Sequence, residues 1–359
     1  MGKHHIFIVG TRAQLIKVAP TLKFFEDNQL PTKFILTGQH KDTMEDLIQE
    51  FGINTPQTQL VKNKEHSSII NLLLWMPIIF FILINTLKKE RKSYIFVHGD
   101  TLTTLFSTIT AKLTGHTVVH LESGLTSNKL FNPFPEEIIR RIVFRYTDIA
   151  CCPSLQDTQN MKKYKKIHIL NTNGNTILDS IQCLRIGEHI TKKPSTILVS
   201  LHRFQNIYNK EKLAEITKML IRLSTQNRIF FVLHPATEKK LNSHNLLTQL
   251  QVQENIELLP RMTYQNFLNL ALSSALVITD GGSNQEELSF FGHPTIILRD
   301  ATERQDGIGE SAILINDTHE IVNYIQSKGY LSLQRDKGKL GKSPSALIGN
   351  YFKELNKIN

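Results

Sequence analysis

The sequence predicts an α/β protein with two domains, each built on a parallel sheet. Short apolar runs that end in small or polar residues alternate with helical patterns in the first half of the chain, and a second such series follows the turn-rich residues 171–176. Repeated β-α alternation is typical of a parallel sheet with helices on its faces. The length of 359 residues is large for one hydrophobic core and ordinary for two domains.

Four apolar runs of the first half each end in a turn of small and polar residues. Because the carboxyl ends of parallel strands meet at one edge of a sheet, we expect the polar side chains that follow them to converge there. Arg12 lies on the first turn and Lys17 lies inside the helix that follows, so both could neutralise a diphosphate; a surface Arg and Lys are the simpler alternative. The runs with their turns cover residues 5–12, 34–40, 94–101 and 117–124.

A proline-containing loop, residues 131–135, leads into a predicted helix whose first turn holds Glu136 and Glu137. Acids in a first turn suit the helix dipole, so capping alone explains them. After the predicted domain crossing at 171–176, strands are expected at 196–203, 229–235 and 256–259. His202 and His234 stand at strand ends, where a lone histidine is usually a satisfied core residue, but Arg203 follows His202 at a predicted ligand edge.

Residues 276–304 are typical of a strand, a glycine turn, a helix, a second strand and a charged loop. Gly281 and Gly282 let an anion approach the backbone at a helix N-terminus, where free amides and the dipole favour phosphate. Glu286 and Glu287 can accept hydrogen bonds from sugar hydroxyls. A glycine turn alone is a weak signal. The charged loop at 299–304, at the end of a strand, strengthens it.

The chain has 42 Lys and Arg against 32 Asp and Glu, a formal charge of +10. This excess favours anionic partners such as phosphorylated substrates or an anionic membrane surface. No nucleic-acid partner is expected, because no zinc-finger, RNP or helix-turn-helix motif is present. The three cysteines are interpreted as buried thiols of a reducing compartment. No cleavable signal peptide is visible, so we expect a cytoplasmic protein, with the inner face of the membrane as a further site of association.

Residues 69–87 contain no charged residue and show no polar face between Pro77 and Ile84. The length approaches that of a membrane span, but Pro77 interrupts it and the strand predicted at Tyr94 belongs to the first sheet. We expect a helix–break–helix in residues 69–92 that dips into one leaflet, with basic flanks on anionic headgroups. A helix buried against another subunit is the alternative.

A series of spaced motifs runs nearly from end to end of the chain. In order, they are Gly10-Thr11-Arg12 with Lys17, Thr37-Gly38-Gln39-His40, Val97-His98-Gly99-Asp100-Thr101, His120-x-Glu122-x-Gly124-Leu125, Pro135-Glu136-Glu137-x-x-Arg140, Gly174-Asn175-Thr176, and Asp280-Gly281-Gly282 with Gln285-Glu286-Glu287 and then Arg299-Asp300-x-Thr302-Glu303-Arg304. On these motifs the chain resembles the UDP-N-acetylglucosamine 2-epimerase family of the non-hydrolysing type. The resemblance implies two Rossmann-like domains that face a cleft, as in the glycosyltransferase-B type. The expected boundaries are 1–172 for the first domain, 173–335 for the nucleotide-binding second domain, and 336–359 for a C-terminal helix that returns to the first.

The resemblance also implies a UDP-sugar substrate, a homodimer, no cofactor and no metal ion. The glycine turn and Arg12 would hold the diphosphate, Glu287 the ribose, and Phe267 would lie by the uracil. The implied catalytic residues are Asp100, Glu122, Glu136, His202 and Lys17, and the implied substrate- and nucleotide-binding residues are Arg12, Gln39, Arg140, Phe267, Gly281, Gly282 and Glu287.

The implied reaction moves the proton at C2 of the sugar, which needs acid and base carboxylates on opposite faces. Elimination of UDP would give a 2-acetamidoglucal, and re-addition of UDP would give the manno epimer for surface polysaccharide; attack by water would release free N-acetylmannosamine. The chain departs from the family pattern at Ala13-Gln14 (for Pro-Glu), Thr126 (for Arg) and Gly281 (for Ser). With the apolar segment, these departures leave open a membrane-associated glycosyltransferase, or an epimerase that acts on a lipid-linked sugar.

Overall fold

The computed structural model describes residues 3–39, 44–61, 69–130, 134–302, 304–339 and 341–358, without the side chains of 69–74 and 358. The chain divides into two compact units, Met1–Leu184 with Leu340–Asn359, and Arg185–Lys339. Each unit is a parallel sheet with helices packed on it, so the predicted α/β class is confirmed.

The first unit is built on seven described strands. They are β1 (His5–Val9), β2 (Thr32–Leu36), β3 (Gln57–Gln59), β4 (Tyr94–His98), β5 (Thr117–Leu121), β6 (Ile149–Cys152) and β7 (His168–Asn171). They pair in parallel in the order β3-β2-β1-β4-β5-β6-β7. The strand order reverses between β1 and β4, and open α/β sheets bind ligands at the carboxyl edge of such a point. Both strands are buried along their whole length, which explains their unbroken apolar runs.

Seven described helices of this unit follow its strands. They are α1 (Arg12–Asp27), α2 (Glu45–Glu50), α3 (Ile69–Lys88), α4 (Leu102–Leu113), α5 (Glu136–Tyr146), α6 (Leu155–Met161) and α7 (Ile177–Cys183). The Ser180 hydroxyl, in α7, donates to the Ile16 carbonyl in α1 (2.6 Å), so the unit continues to Leu184, past residue 172. Cys151 and Cys152 are buried, but Cys183 is exposed, so the expected burial of Cys183 is wrong.

The second unit repeats the architecture with six described strands and seven described α-helices. The strands are β8 (Thr196–Ser200), β9 (Arg228–Val232), β10 (Ile256–Leu259), β11 (Leu276–Thr279), β12 (Thr295–Ile297) and β13 (Ala312–Leu314). The helices are α8 (Phe204–Ile207), α9 (Lys210–Ser224), α10 (Pro235–Ser243), α11 (Leu247–Gln251), α12 (Tyr264–Ser273), α13 (Gly282–Phe290) and α14 (Thr318–Gln326), with a short 3₁₀ helix at Gly329–Leu333. The parallel order is β10-β9-β8-β11-β12-β13, so the reversal lies between β8 and β11.

The last helix, α15 (Pro344–Ile358), belongs to the first unit. Its Phe352 is fully buried and packs edge-on against Tyr94 and Phe96, with ring centroids 4.9 Å apart in both pairs. At the start of α15, the Ser345 backbone N–H donates to the carboxylate of Asp179 (2.7 Å). The helix therefore completes an aromatic part of the core of the first unit.

The apolar segment forms one continuous helix, α3, which passes through Pro77. Trp75, Ile79, Leu83 and Leu87 are buried against the core that faces β1 and β4, at the four-residue spacing of a helical stripe. The expected break is therefore wrong, because this buried stripe keeps the helix on the sheet on both sides of the proline. In the described part of the chain, no helix has the length and hydropathy needed to cross a bilayer.

Candidate active site

Two turns of the first sheet, after β1 and β4, are tied together by Gln14. Thr11 caps α1 and accepts a hydrogen bond from the Gln14 backbone N–H, which forms a capping box. The Gln14 side-chain amide donates to the carbonyl of His98 (2.7 Å), at the end of β4. Gln14 is buried, and its Oε1 accepts from the backbone N–H groups of Gly10 (2.9 Å) and Thr11 (3.2 Å), so both ends of the side-chain amide have partners. The turn that carries Arg12 is therefore fixed against the turn that carries Asp100.

Glu122 follows β5 in the left-handed conformation, with φ of 58°. This conformation is uncommon for a residue with a side chain and often marks a functional position. Its Oε1 accepts hydrogen bonds from Lys17 Nζ (2.6 Å) and from Asn175 Nδ2 (2.5 Å). His98 Nε2 lies 3.7 Å from the other oxygen, Oε2. The carboxylate of Glu122 is thus held in one position by a buried cation and an amide.

His120, in β5, supports the same edge without titrating near neutral pH. Burial lowers its pKa to about 4, so the ring is neutral at pH 7. Because the carbonyl of Gly99 can only accept, His120 Nε2 donates to it (2.8 Å), and Nδ1 then accepts from the Ser123 hydroxyl (3.0 Å). The ring fixes the glycine that precedes Asp100.

Asp100 is paired with Arg140 of α5, with Nη2 and Oδ2 2.5 Å apart. Arg140 is held from behind by Glu137, which is fully buried. Burial alone would raise the pKa of Glu137, but hydrogen bonds from the Thr126 hydroxyl, the Ser127 amide and the Arg141 guanidinium outweigh it and leave the pKa below its usual range. Glu137 is therefore a structural anchor for the Asp100–Arg140 pair.

Glu136, the neighbouring carboxylate, begins α5. Its Oε2 is buried and accepts no hydrogen bond from any residue that the structure describes. A buried polar atom in this state is rare, and it is available to a ligand that brings its own donor. Glu136 and Glu137 are adjacent in the sequence but have different roles, since one is a structural anchor and the other has an oxygen to offer.

Arg12 and Gln39 also lie at this edge. The guanidinium of Arg12, the first residue of α1, forms a two-pronged ion pair with the carboxylate of Asp46 in α2. Gln39 Oε1 accepts hydrogen bonds from the backbone N–H (3.1 Å) and the hydroxyl (2.7 Å) of Thr103 at the start of α4. Both residues that the sequence assigns to substrate binding therefore have partners within the first unit.

In the second unit, the turn after β8 is fixed to the turn after β11 by Asp280. This buried carboxylate accepts from the backbone N–H groups of His202 (3.0 Å) and Arg203 (2.9 Å) and from Asn206 Nδ2 (2.9 Å). The Arg203 guanidinium in turn donates to the Asp280 carbonyl (3.1 Å). His202 keeps much of its ring accessible, with Nδ1 3.4 Å from Asp280. His202 and Arg203 therefore lie at the point where the strand order of the second sheet reverses.

The glycine turn begins α13 as predicted. Gly281 occupies the N-cap position in an extended conformation and supplies no side-chain cap. A Cβ atom at Gly281 would lie 3.1 Å from Cε1 of His202, so the glycine leaves room beside the ring. Gly282 lies in the first turn. With glycines at these two positions, an anion can approach the backbone of the helix start more closely than it could beside a serine side chain.

Glu287 and Phe267 lie on neighbouring helices of the second unit. Glu287, buried in α13, accepts a hydrogen bond from the hydroxyl of Tyr264 (2.9 Å) in α12. Phe267 is half-buried on α12, three residues after Tyr264 and therefore on the same side of the helix. The charged loop is also tied to α13, because Arg304 pairs with Glu286 (2.6 Å).

The structure shows positioning residues that sequence reasoning did not assign. Asn175 fixes Glu122, Gln14 joins two turns, and Asp280 organises the turn of His202. The Gly174-Asn175-Thr176 motif marked the position of Asn175, but nothing in the sequence showed that its amide meets a carboxylate more than fifty residues earlier. Among the described residues, no group of three His, Cys, Asp or Glu side chains could hold a metal ion.

Comparison with known proteins gives one consistent result. The sequence profile of the UDP-N-acetylglucosamine 2-epimerase family matches residues 23–339. A UDP-N-acetylglucosamine 2-epimerase from Methanococcus maripaludis is 30% identical over 89% of this chain and 90% of its own. A UDP-2,3-diacetamido-2,3-dideoxy-D-glucuronate 2-epimerase from Pseudomonas aeruginosa is 28% identical over 97% and 99%. The crystal structure of the Methanocaldococcus jannaschii UDP-GlcNAc 2-epimerase with UDP-GlcNAc and UDP has a TM-score of 0.82, 26% identity and 99% coverage of both chains. This chain therefore belongs to the UDP-N-acetylglucosamine 2-epimerase family.

Proposed function

We propose that this protein interconverts UDP-N-acetylglucosamine and UDP-N-acetylmannosamine, or a closely related pair of UDP-amino sugars, by elimination and re-addition of UDP. Family membership and the names of the relatives support the reaction and the substrate class. The observation that carries the proposal is at the carboxyl edge of the first sheet. Two carboxylates, Glu122 and Asp100, are each fixed by a cation, Lys17 and Arg140.

The proton at C2 is poorly acidic, so the bond from C1 to the diphosphate must break as the proton leaves. We assign the removal of this proton to Glu122: the C2–H electron pair becomes the C1=C2 double bond while the C1–O pair departs with UDP. Asp100 and Glu136 are the candidates for delivery of a proton to the other face. Glu136 suits this role because its Oε2 accepts no hydrogen bond from the described residues. Re-addition of UDP then gives the epimer.

The second unit supplies the groups that suit a departing nucleotide. The α13 N-terminus at Gly281 and Gly282, together with His202, can stabilise the negative charge that grows on the diphosphate. Glu287 can accept ribose hydroxyls, and the half-buried ring of Phe267 can lie by the uracil. Arg12 of the first unit is the further candidate for the diphosphate. These roles follow the family pattern, residue by residue.

Proton NMR in deuterated water tests the reaction directly. With UDP-N-acetylglucosamine as substrate, we expect deuterium at C2 and the appearance of a UDP-linked manno product. Free sugar with UDP would instead indicate the hydrolysing reaction. Absence of both exchange and product, with this substrate and with the diacetamido glucuronate, would contradict the proposal and favour a transferase that acts on a lipid-linked sugar.

We also propose that the outer face of α3 contacts a second copy of this chain. Ile78 and Phe81 on this face are 52% and 63% exposed. Beside it, an apolar groove of about 710 Å³ runs along α4 and α5, lined by Leu113, Ile138 and Tyr146 among others. Because α4 packs against both α3 and α5, the groove extends the exposed apolar face of α3, and a large apolar surface of this kind suits a protein partner. This favours a homodimer over the leaflet predicted from the sequence. The cytoplasmic location stays a prediction.

Light scattering and liposome sedimentation separate these two partners. We expect a dimer that becomes monomeric when Ile78 and Phe81 are both changed to serine, because the change removes the apolar outer stripe and leaves the buried stripe intact. Leu155→Ser, at an exposed leucine of α6, is the matched control and should leave the dimer unchanged. A monomeric wild type that sediments with anionic liposomes would instead restore the membrane interpretation.

A further inference from the structure

The proposed function has Arg12 bind the diphosphate of the substrate, but in this structure Asp46 already forms an ion pair with Arg12. Asp46 Oδ1 and Oδ2 accept from Nη1 and Nη2 of Arg12, so the carboxylate lies across the fork of the guanidinium. This fork is the geometry that arginine also offers to a phosphoryl group. The Arg12 guanidinium beside Asp46 holds the pKa of that carboxyl below its usual range.

The position of the pair makes Asp46 resemble a bound anion. Arg12 is the first residue of α1, where the helix dipole is positive, and the first turn of α1 holds no acidic residue of its own. The carboxylate comes instead from α2, a helix of six residues that is more than thirty positions away in the sequence. Asp46 therefore supplies the negative charge that the start of α1 lacks.

We propose that Asp46 is an internal competitor for Arg12, which the diphosphate of the substrate must displace. This inference rests on the proposed role of Arg12 in nucleotide binding. Displacement is feasible because the Asp46 side chain is 36% exposed and can return to water, whereas Arg12 is only 13% exposed and stays in place. The two-pronged geometry strengthens the pair, but a diphosphate offers the same geometry with more charge than one carboxylate.

Competition and simple positioning predict opposite effects of the removal of Asp46 on the affinity for nucleotide. If Asp46 only oriented Arg12, its removal would weaken nucleotide binding. If Asp46 competes, its removal lowers the apparent dissociation constant of UDP, because the diphosphate no longer has to displace a carboxylate from Arg12. Because the Asp46 side chain is partly exposed and water takes up part of the lost interaction, we expect UDP to bind about two- to sixfold more tightly.

Isothermal titration of the full-length chain with UDP tests this. Asp46→Asn and Asp46→Ala should both tighten binding, the alanine variant excluding a residual hydrogen bond from asparagine. Glu45→Gln, at the exposed neighbour in α2, removes the same charge without touching Arg12 and should bind as wild type does. In an Arg12→Ala background, Asp46→Asn should have no effect.

Two results would overturn the inference in distinguishable ways. If Arg12→Ala weakens UDP binding but both Asp46 variants bind UDP equally or less tightly than wild type, Asp46 does not compete and the proposed role of Arg12 stands. If Arg12→Ala binds UDP as tightly as wild type, the assignment of Arg12 itself fails.

Discussion

Glu122→Gln should reduce turnover by about 10²- to 10⁴-fold, the range for the loss of a positioned base, and should abolish deuterium exchange at C2. Glutamine keeps an oxygen that Lys17 and Asn175 can donate to, so the local structure is expected to persist. It cannot take up the C2 proton. UDP binding should therefore stay within a few-fold of wild type, since no UDP contact is assigned to Glu122. Proton NMR in deuterated water and UDP titration measure the two effects separately.

Glu257→Gln provides a matched control in the second unit. Glu257 is an exposed carboxylate paired with Arg228 (2.8 Å) near the start of the edge strand β10 and makes no contact assigned to the reaction, so its loss should leave turnover unchanged. C2 exchange at the wild-type rate in Glu122→Gln would remove Glu122 from the mechanism. Loss of exchange together with loss of UDP binding would point to a structural defect.

Lys17→Met should destabilise the first unit by about 3 kcal/mol, because it leaves the Glu122 carboxylate buried with no cation. Lys17 and Glu122 are both nearly inaccessible, so water cannot replace the lost partner. The double variant Lys17→Met/Glu122→Gln should recover much of the loss, since the uncompensated charge is then absent. Trp75, the only tryptophan of the sequence, is buried in the core of this unit and reports its unfolding by fluorescence in urea.

Lys23→Met is the control for Lys17→Met within the same helix. Lys23 forms ion pairs with Glu26 and Asp27 at the surface, both at 3.0 Å, and pairs of this kind contribute less than about 1 kcal/mol. If Lys17→Met were no more destabilising than Lys23→Met, or if the double variant were less stable than Lys17→Met, the buried pair would not have the importance proposed here.

Most strands that the sequence predicted are buried, although the partly buried edge strand β10 was also predicted and the buried strand β6 was not. β1, β4 and β11 are unbroken apolar runs that end in glycine-containing turns, and this pattern is visible without a structure. β3 consists of three exposed polar residues at the edge of its sheet, so no hydrophobic pattern marked it. β7 is likewise only partly buried. An edge strand without an apolar run is defined by pairing with its neighbour, which the local sequence does not encode.

The α3 helix shows the opposite difficulty. Its apolar composition predicted a broken helix in a membrane leaflet. Every position from Pro77 to Ile84 is apolar, so no polar residue distinguished the buried stripe from the outer face. The candidate site shows a similar limit. The motifs located Arg12, Asp100 and Glu122 at one sheet edge, whereas Asp46 as the partner of Arg12 depends on where α2 packs, and tertiary structure alone determines that.

The return of α15 to the first unit has a consequence for synthesis of the chain. The second unit is one continuous stretch, Arg185–Lys339, so its sheet can form without any residue of α15. The first unit begins earlier but finishes later, because Tyr94 and Phe96 acquire their packing partner Phe352 only after the whole second unit has been synthesised. Until then, the side chains of Tyr94 and Phe96 lack this partner, and uncovered aromatic surface of this kind favours aggregation of an incomplete chain.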